Sequence, residues 1–294
     1  MPLPFVLLIL SICATWLPAL HIGSRYRVHP WAVLYGLALV TAFAQGFVHP
    51  SAVAALLVLV ALALWMLRLP RGAMYWLAFS LLLLLSLALA LHRIPGFNNP
   101  IVIDGVQFSP DARPSTQHLN FDKGSVGLVL LALLAPKLRR GDDARRLAIE
   151  TAAAWALTAA VGLGVAAAVG LIHFDLKAPK QAALFLVVNL FFTCVAEEAF
   201  FRVMVQDPLR GARPGRPPME AASSRVRAVA AILVSGLLFG LVHAAGGATL
   251  VVMAALAGIG YAAVYGRTSR IEAPIFVHFG LNAILFLAFT VLRG

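Results

Sequence analysis

The chain has 294 residues, of which 61% are hydrophobic and only 12% are charged, and its mean hydropathy is +0.90. Since a soluble globular domain carries roughly twice that charged fraction, the composition excludes an ordinary soluble protein. The net charge of +11 is compatible with a nucleic-acid partner, but the basic residues lie in loops between apolar runs, so the sequence predicts a membrane protein with no nucleic-acid partner.

Four apolar runs fill the N-terminal 92 residues. They cover residues 3–20, 31–48, 51–67 and 73–92. All are longer than strands and predict helices, because a backbone in lipid must satisfy its own hydrogen bonds. The first run has no positive residues before it, whereas Arg25 and Arg27 follow it. It therefore predicts a retained span with its N-terminus outside, and 1–92 is expected to be a four-span extension.

The segment 93–123 is polar and proline-containing and predicts an external loop. Six further apolar runs follow within a membrane core at 124–294. These runs cover residues 124–135, 147–172, 181–205, 228–246, 248–266 and 273–292. Because the run 124–135 is short, the total is nine or ten. The predicted fold is all-α, a polytopic transmembrane helix bundle of about nine or ten spans.

Basic residues distinguish the two sides of the membrane. The loops assigned to the cytoplasm hold Arg25, Arg27, Arg68, Arg71, Lys137, Arg139, Arg140, Arg145, Arg146, Arg210, Arg213, Arg216, Arg225, Arg227, Arg267 and Arg270. The loops and tail assigned to the outside hold Arg93, Arg113, Lys123, Lys177, Lys180 and Arg293. This bias agrees with the positive-inside rule and predicts an integral protein of the bacterial cytoplasmic membrane, in contact with the lipid bilayer.

Ionisable residues inside the predicted spans are confined to the C-terminal third. The first stretch, 194-CVAEEAFFRV-203, holds two glutamates and an arginine. Charge inside a membrane is costly and indicates function by default. Glu198 and Arg202 are four residues apart, share a helix face and predict an ion pair, which by itself would be structural. Glu197 is rotated by about 100° from Glu198, so its carboxylate is available for another task.

Two later stretches add imidazoles and an amide. Phe239 and His243 in 239-FGLVH-243, and His278 and Asn282 in 278-HFGLN-282, are also four residues apart. A lone histidine in a span could simply bond a neighbouring carbonyl. Three such motifs in one chain favour a site that activates water with a carboxylate and a histidine. The same glutamate and histidine set could instead bind a metal.

The ordered motifs EExxxR, FxxxH and HxxxN resemble the CPBP family of type II CAAX-prenyl-protease-like and bacteriocin-processing (Abi) intramembrane proteins. The resemblance covers roughly residues 147–292. It implies a helical bundle around a catalytic cavity and glutamic-type endopeptidase chemistry. One departure is Val203, where family members often have glycine after the arginine.

The resemblance also implies roles for the motif residues. Glu197 and His243 would activate water, and His278 and Asn282 would stabilise the oxyanion. The supporting residues would be Glu198, Arg202 and Phe239. No cofactor is expected. The alternative is zinc bound by Glu197, His243 and His278, which the absence of HExxH makes weaker.

The resulting hypothesis is an intramembrane endopeptidase that cleaves membrane-bound peptides or proteins near the cytoplasmic face. One alternative is a non-catalytic immunity or scaffold protein of the same fold, against which the complete motif set argues. Another is a proton-relaying transporter, for which ionisable residues should be spread over several spans. The family processes prenylated C-termini in eukaryotes and bacteriocin or sorting-signal peptides in bacteria. The Arg-, Ala- and Leu-rich composition is typical of a bacterium of high genomic GC and favours the second class.

Overall fold

Ten helices dominate the chain in the computed structural model, which describes residues 1–23, 26–112, 114–139, 141–215 and 225–292. They are α1 (Leu3–Ala14), α2 (Pro30–Ala44), α3 (Pro50–Arg68), α4 (Ala73–Ala90), α5 (Phe121–Leu133), α6 (Ala144–Ala168), α7 (Ala182–Leu209), α8 (Arg225–Leu241), α9 (Ala248–Thr268) and α10 (Glu272–Ala288). Each apolar run of the sequence thus contains a helix, and the mostly helical fold is confirmed. Prolines begin α2 and α3, where the missing N–H costs nothing.

The helices differ in how well they suit a bilayer. Among the described residues, five are long and apolar enough to cross it: α3, α4, α6, α7 and α9. Three shorter apolar helices are α1, α2 and α10. The chain is thus an integral membrane protein by length and composition of its helices. The total of nine or ten spans stays a prediction.

Within the described residues, three small sheets of two strands each lie between or after the helices. They pair β1 (Leu20–Ile22) with β2 (Tyr26–Val28), β3 (Ile101–Val106) with β4 (Ser115–His118), and β5 (Ile172–Phe174) with β6 (Phe289–Val291). The β5–β6 pair is antiparallel, with His173 opposite Thr290. The sequence analysis predicted no strands, because such short segments show no clear alternation. Five residues that the predicted topology places in loops or the tail lie outside the described residues: Arg25, Arg113, Arg140, Arg216 and Arg293.

The chain divides into two compact units. Unit 1 comprises Met1–Pro100, His118–Ala135 and Phe191–Phe200, and unit 2 comprises Ile101–Gln117, Pro136–Leu190 and Phe201–Gly294. The predicted division into an extension (1–92), a loop (93–123) and a catalytic core (124–294) concerns function and stays a prediction.

Unit 1 is built around α5, most of whose side chains are buried. Phe5 of α1 lies at its centre, with edge-to-face ring contacts to Phe47, Phe121 and Phe192 at centroid distances of 5.3, 5.7 and 6.1 Å. Such aromatic pairs stabilise beyond the area that they bury. The contacts bring the segment Phe191–Phe200 of α7 against α5.

Unit 2 contains the helices α6, α8, α9 and α10. Small residues allow its helices to approach closely, as expected in a membrane bundle. A Cβ added at Gly258 of α9 would lie 2.9 Å from Cβ of Phe239 on α8, and one at Gly240 would lie 2.6 Å from the carbonyl oxygen of Val251. A Cβ at Gly280 of α10 would lie 2.6 Å from Nε1 of Trp155 on α6. These glycines fix which faces of the helices meet.

Candidate active site

Glu197 lies in unit 1, on a short α-helical turn of α7, Val195–Glu198. The turn is flanked by two π-helical stretches, Asn189–Cys194 and Ala199–Gln206. π-Helical turns are rare in proteins, and those that occur are often found at functional sites. They change the direction of the side chains that follow, and an ideal helical period could not have predicted them.

Close packing of α5 against α7 sets the surroundings of Glu197. A Cβ added at Gly127 would lie 2.8 Å from Cα of Ala196, so the two backbones touch. Lys123, one turn before Gly127 on α5, donates from Nζ to Oε1 of Glu197 at 2.7 Å. Both side chains are mostly buried, with 17% and 16% of their surfaces exposed. A charge-assisted bond in such surroundings is stronger than one in water and holds the carboxylate in place.

A buried carboxylate orders the helix end that carries Lys123. Asp122 accepts hydrogen bonds from Nδ2 of Asn99 at 3.0 Å and from the backbone N–H of Lys123 at 2.8 Å. Nδ1 of His92 lies 2.7 Å from the second carboxylate oxygen of Asp122. These bonds fix the first turn of α5 and so the origin of the Lys123 side chain.

The supporting charges of the first motif are fully buried. Arg202, in unit 2, donates from Nη1 to Oε1 of Gln206 at 2.9 Å and to Oγ of Ser235 at 3.1 Å. Gln206 donates in turn to the carbonyl oxygen of Ala262 at 2.8 Å. Arg202 therefore links α7 to α8 and, through Gln206, to α9. The ion pair predicted between Glu198 and Arg202 stays a prediction.

Phe239 brings the two candidate histidines of unit 2 together. Its ring centroid lies 5.0 Å from that of His243 and 5.5 Å from that of His278. His278 is buried and stacks on Tyr261 with a centroid distance of 4.6 Å and an interplanar angle of 16°. Two motifs separated along the chain thus converge on one aromatic side chain, which the sequence analysis assigned a supporting role.

The hydrogen bond of His243 fixes its tautomer. Nδ1 lies 2.8 Å from the carbonyl oxygen of Phe239. Because a carbonyl can only accept, Nδ1 carries the proton. In the neutral ring, Nε2 is then the nitrogen with a free lone pair, as a general base or a metal ligand requires.

Asn282 is held by a second amide. Its Nδ2 donates to Oδ1 of Asn189 at 3.3 Å. Both residues line a cavity of unit 2 of about 350 Å³. Four phenylalanines make up much of its wall. Besides the two amides, the lining residues are Phe108, Ala112, Ser115, Lys177, Phe185, Leu285, Phe286, Phe289, Thr290 and Val291. The predicted oxyanion donor therefore faces a space that can take a ligand.

The sequence analysis missed three residues around these groups. Asn189 is an amide within an otherwise apolar stretch, LVVNLFF, and that polarity was a usable signal. Lys123 was assigned to the external loop, although it precedes an apolar run directly. Tyr261 gave no signal, because an aromatic residue in an apolar helix is usual.

Within the described ranges, no group of three or more His, Cys, Asp or Glu side chains is placed to hold a metal ion. The choice between metal-free and zinc chemistry stays a prediction, which the chelation experiment below tests.

Comparison with known proteins supports the reading of the motifs. Residues 179–284 match the model of a family described as type II CAAX prenyl endopeptidase Rce1-like. No curated protein and no solved structure matches the chain significantly. The match spans Glu197, His243, His278 and Asn282, and it indicates a membrane endopeptidase of the CAAX protease type. The predicted family resemblance is thereby confirmed over residues 179–284, the part of the chain that resembles the type II CAAX prenyl endopeptidases.

Proposed function

We propose that this protein is an intramembrane glutamic-type endopeptidase that cleaves membrane-anchored peptides or proteins. The observation that carries the proposal is the convergence of His243 and His278 on Phe239, with the Nδ1 proton of His243 committed to a carbonyl. A general base needs a fixed ring with a free nitrogen, and this arrangement supplies one.

In the proposed mechanism, Glu197 and His243 activate a water molecule whose oxygen attacks the scissile carbonyl, and the proton that this pair takes up passes to the leaving amine as the C–N bond breaks. His278 and the Asn282 amide donate hydrogen bonds to the oxyanion that forms. Arg202 and Phe239 hold the helices that carry these groups, and Lys123 holds the Glu197 carboxylate. The family match supports the hydrolytic class, and the roles are our proposal.

Zinc is the alternative chemistry. The donor types of Glu197, His243 and His278 suit zinc, and a ligating histidine usually donates its other N–H to a carbonyl or carboxylate, as His243 does to Phe239. Zinc would supply a bound water with a pKa of about 7. Asn282 would matter less in that case, because amides are poor zinc ligands.

The test uses purified protein in liposomes with a library of acyl-anchored peptides, and the products are identified by mass spectrometry. We expect cleavage by the unmodified protein and a loss of several orders of magnitude in Glu197→Gln. Glu150→Gln is the matched control, since Glu150 pairs with Arg146 and Arg267 away from the motifs. A folded protein that cleaves nothing would favour the non-catalytic alternative.

Chelation separates the two chemistries. In the metal-free mechanism, exhaustive chelation leaves the rate unchanged and Asn282→Ala lowers it by about 10²–10³. Activity that disappears on chelation and returns with stoichiometric zinc, measured with metal content in parallel, would overturn the metal-free mechanism.

A further inference from the structure

The β3–β4 segment, residues 101–112 and 114–118, forms one wall of the cavity that Asn189 and Asn282 line. Phe108, between the strands, lies edge-on to Phe286 of α10 with a centroid distance of 4.9 Å. Phe286 in turn stacks on Phe185 of α7 at 3.8 Å and 7°. Ala112 and Ser115 of the same segment also line the cavity. A segment that the sequence analysis could describe only as a loop therefore borders the space beside Asn282.

A polar network anchors this wall. The Ser109 hydroxyl donates to the Asp175 carboxylate, and Oγ1 of Thr290 lies 2.6 Å from the same carboxylate and 3.0 Å from Oγ of Ser109. Ala112 also pairs with Leu292 as an isolated bridge, and Gln107 closes the loop through the carbonyl of Ala112 at 2.9 Å. Hydrogen bonds thus connect the β3–β4 segment to Asp175, which follows β5, and to β6.

The network also decides what the cavity can recognise. Lys177 has three ammonium hydrogens, and it has acceptors in the carbonyl of Phe289 at 2.6 Å, Oγ1 of Thr290 at 2.8 Å and the carboxylate of Asp175 at 3.2 Å. Its charge is paired within the protein, so the cavity does not offer a lysine for a substrate carboxylate. The remaining wall is aromatic and aliphatic. A volume of about 350 Å³ is at the small end for a ligand site and suits a side chain of a peptide.

We propose that this cavity, walled by Phe108, Phe185 and Phe286, binds one large apolar side chain of the substrate near the scissile bond, and that the β3–β4 segment thereby selects the peptides that are cut. The inference rests on the proposed function, because it takes Asn282 as an oxyanion donor and so places the scissile carbonyl beside the cavity. It assigns an internal apolar residue, and no terminal carboxylate, as the recognised feature.

Two variants with opposite effects test the proposal. Phe108→Ala widens the cavity and Ser115→Trp narrows it. With the acyl-anchored peptide library in liposomes, we expect the unmodified protein to prefer Leu or Phe over Ala at one fixed position next to the cleaved bond. Phe108→Ala should raise the Trp-to-Leu ratio of kcat/KM about tenfold or more, and Ser115→Trp should shift the preference towards Ala by a similar factor. Phe276→Ala is the matched control, since Phe276 is an exposed aromatic residue of unit 2 that does not line the cavity.

Failure of the inference and failure of the proposed function give different results. If cleavage depends on Glu197 but shows no preference at any position, or the same preference in both variants, the specificity role is wrong and the protease remains. If nothing is cleaved, the same peptides carrying photo-leucine test binding directly. Crosslinks to residues 108–115 or 285–291 that Ser115→Trp reduces support the apolar site, and crosslinks elsewhere or none overturn it.

Discussion

At the scale of single residues, the Lys123–Glu197 pair shows how the chain provides a buried carboxylate with a partner. The two atoms are 2.7 Å apart and both side chains are mostly buried. Removing one partner of such a pair costs more than the net stabilisation of the pair, because the other charge stays away from water. Lys123 therefore acts as a positioning residue in the proposed mechanism.

Lys123→Met tests this role. Loss of the ammonium should destabilise the protein by on the order of 1–3 kcal/mol and lower kcat more than it raises KM, because the carboxylate loses its orientation. Lys123→Arg keeps a cation and should restore much of the rate. Thermal unfolding and peptide cleavage are the measurements. Equal activity of the Met variant and the unmodified protein would show that Glu197 needs no help from Lys123.

The two amides of the cavity allow a graded test. Asn282→Ala should lower kcat by about 10²–10³ with little change in KM, since an oxyanion donor acts mainly in the transition state. Asn189→Ala removes an acceptor of Asn282 but leaves the Asn282 amide itself in place, so we expect a smaller loss of about tenfold. A larger loss in Asn189→Ala than in Asn282→Ala would reverse the two roles.

At this scale the sequence predicted residue identities better than contacts. Spacing predicted that His278 and Asn282 share one helix face; in the structure His278 contacts Phe239 and Tyr261, and Asn282 contacts Asn189. It did not predict that Phe239 would touch both imidazoles, because a helix that is apolar on all sides carries no signal of which neighbour it meets. Lys123 and Asn189 were visible as polar residues beside or within apolar runs, but their partners lie far along the chain and could not be predicted.

At the scale of helices, glycines decide which faces meet in unit 2. Gly258 lies against Phe239, the ring that both histidines contact, and an added methyl would approach its atoms to 2.9–3.0 Å. Gly164 of α6, by contrast, has open space around it, with nothing within 4 Å of an added Cβ.

Gly258→Ala should therefore destabilise the protein by about 1–3 kcal/mol and reduce activity, whereas Gly164→Ala should be neutral or slightly stabilising. Thermal unfolding in the same detergent compares the two directly. Equal unfolding temperatures would mean that α8 and α9 tolerate a wider separation.

A pH dependence follows from the anchor of the β3–β4 segment. Hydrogen bonds from Ser109, Thr290 and Lys177 hold the pKa of Asp175 well below its usual range. A carboxyl with a depressed pKa stabilises the folded state above its unfolded pKa of about 4, and this contribution is lost as the pH falls further. We expect the stability difference between the unmodified protein and Asp175→Asn to be constant from pH 7 to 5 and to shrink below about pH 4. A difference that shrinks already between pH 7 and 5 would contradict this.

At the scale of the whole molecule, the apolar runs predicted the ten helices found among the described residues, because a helix satisfies its own backbone hydrogen bonds in lipid. Helix lengths were harder to predict, since the runs continue into loops; the run 3–20, for example, contains a helix that ends at Ala14. The β-pairs were missed because their strands are too short to show alternation, and because β5 and β6 are also distant in sequence. The distribution of basic residues predicts which loops lie on the cytoplasmic side of the membrane.

Single cysteines at Ser115 and Arg213, in a background without Cys13 and Cys194, test this topology. The positive-inside rule predicts that a membrane-impermeant thiol reagent added to intact cells labels position 115 and that position 213 is labelled only after lysis. Labelling of both positions from one side would contradict the ten-span arrangement.

The position of Lys123 has a further consequence for where the cleaved fragments are released. Lys123 is the third residue of α5, which begins at Phe121, so the Glu197 carboxylate lies near the N-terminal end of this helix. With the 93–123 loop outside, as the basic residues predict, water would reach Glu197 from the extracytoplasmic side, opposite to the cytoplasmic face expected from the sequence. If the proposed cleavage takes place in this orientation, its polar product is released directly on the extracytoplasmic side.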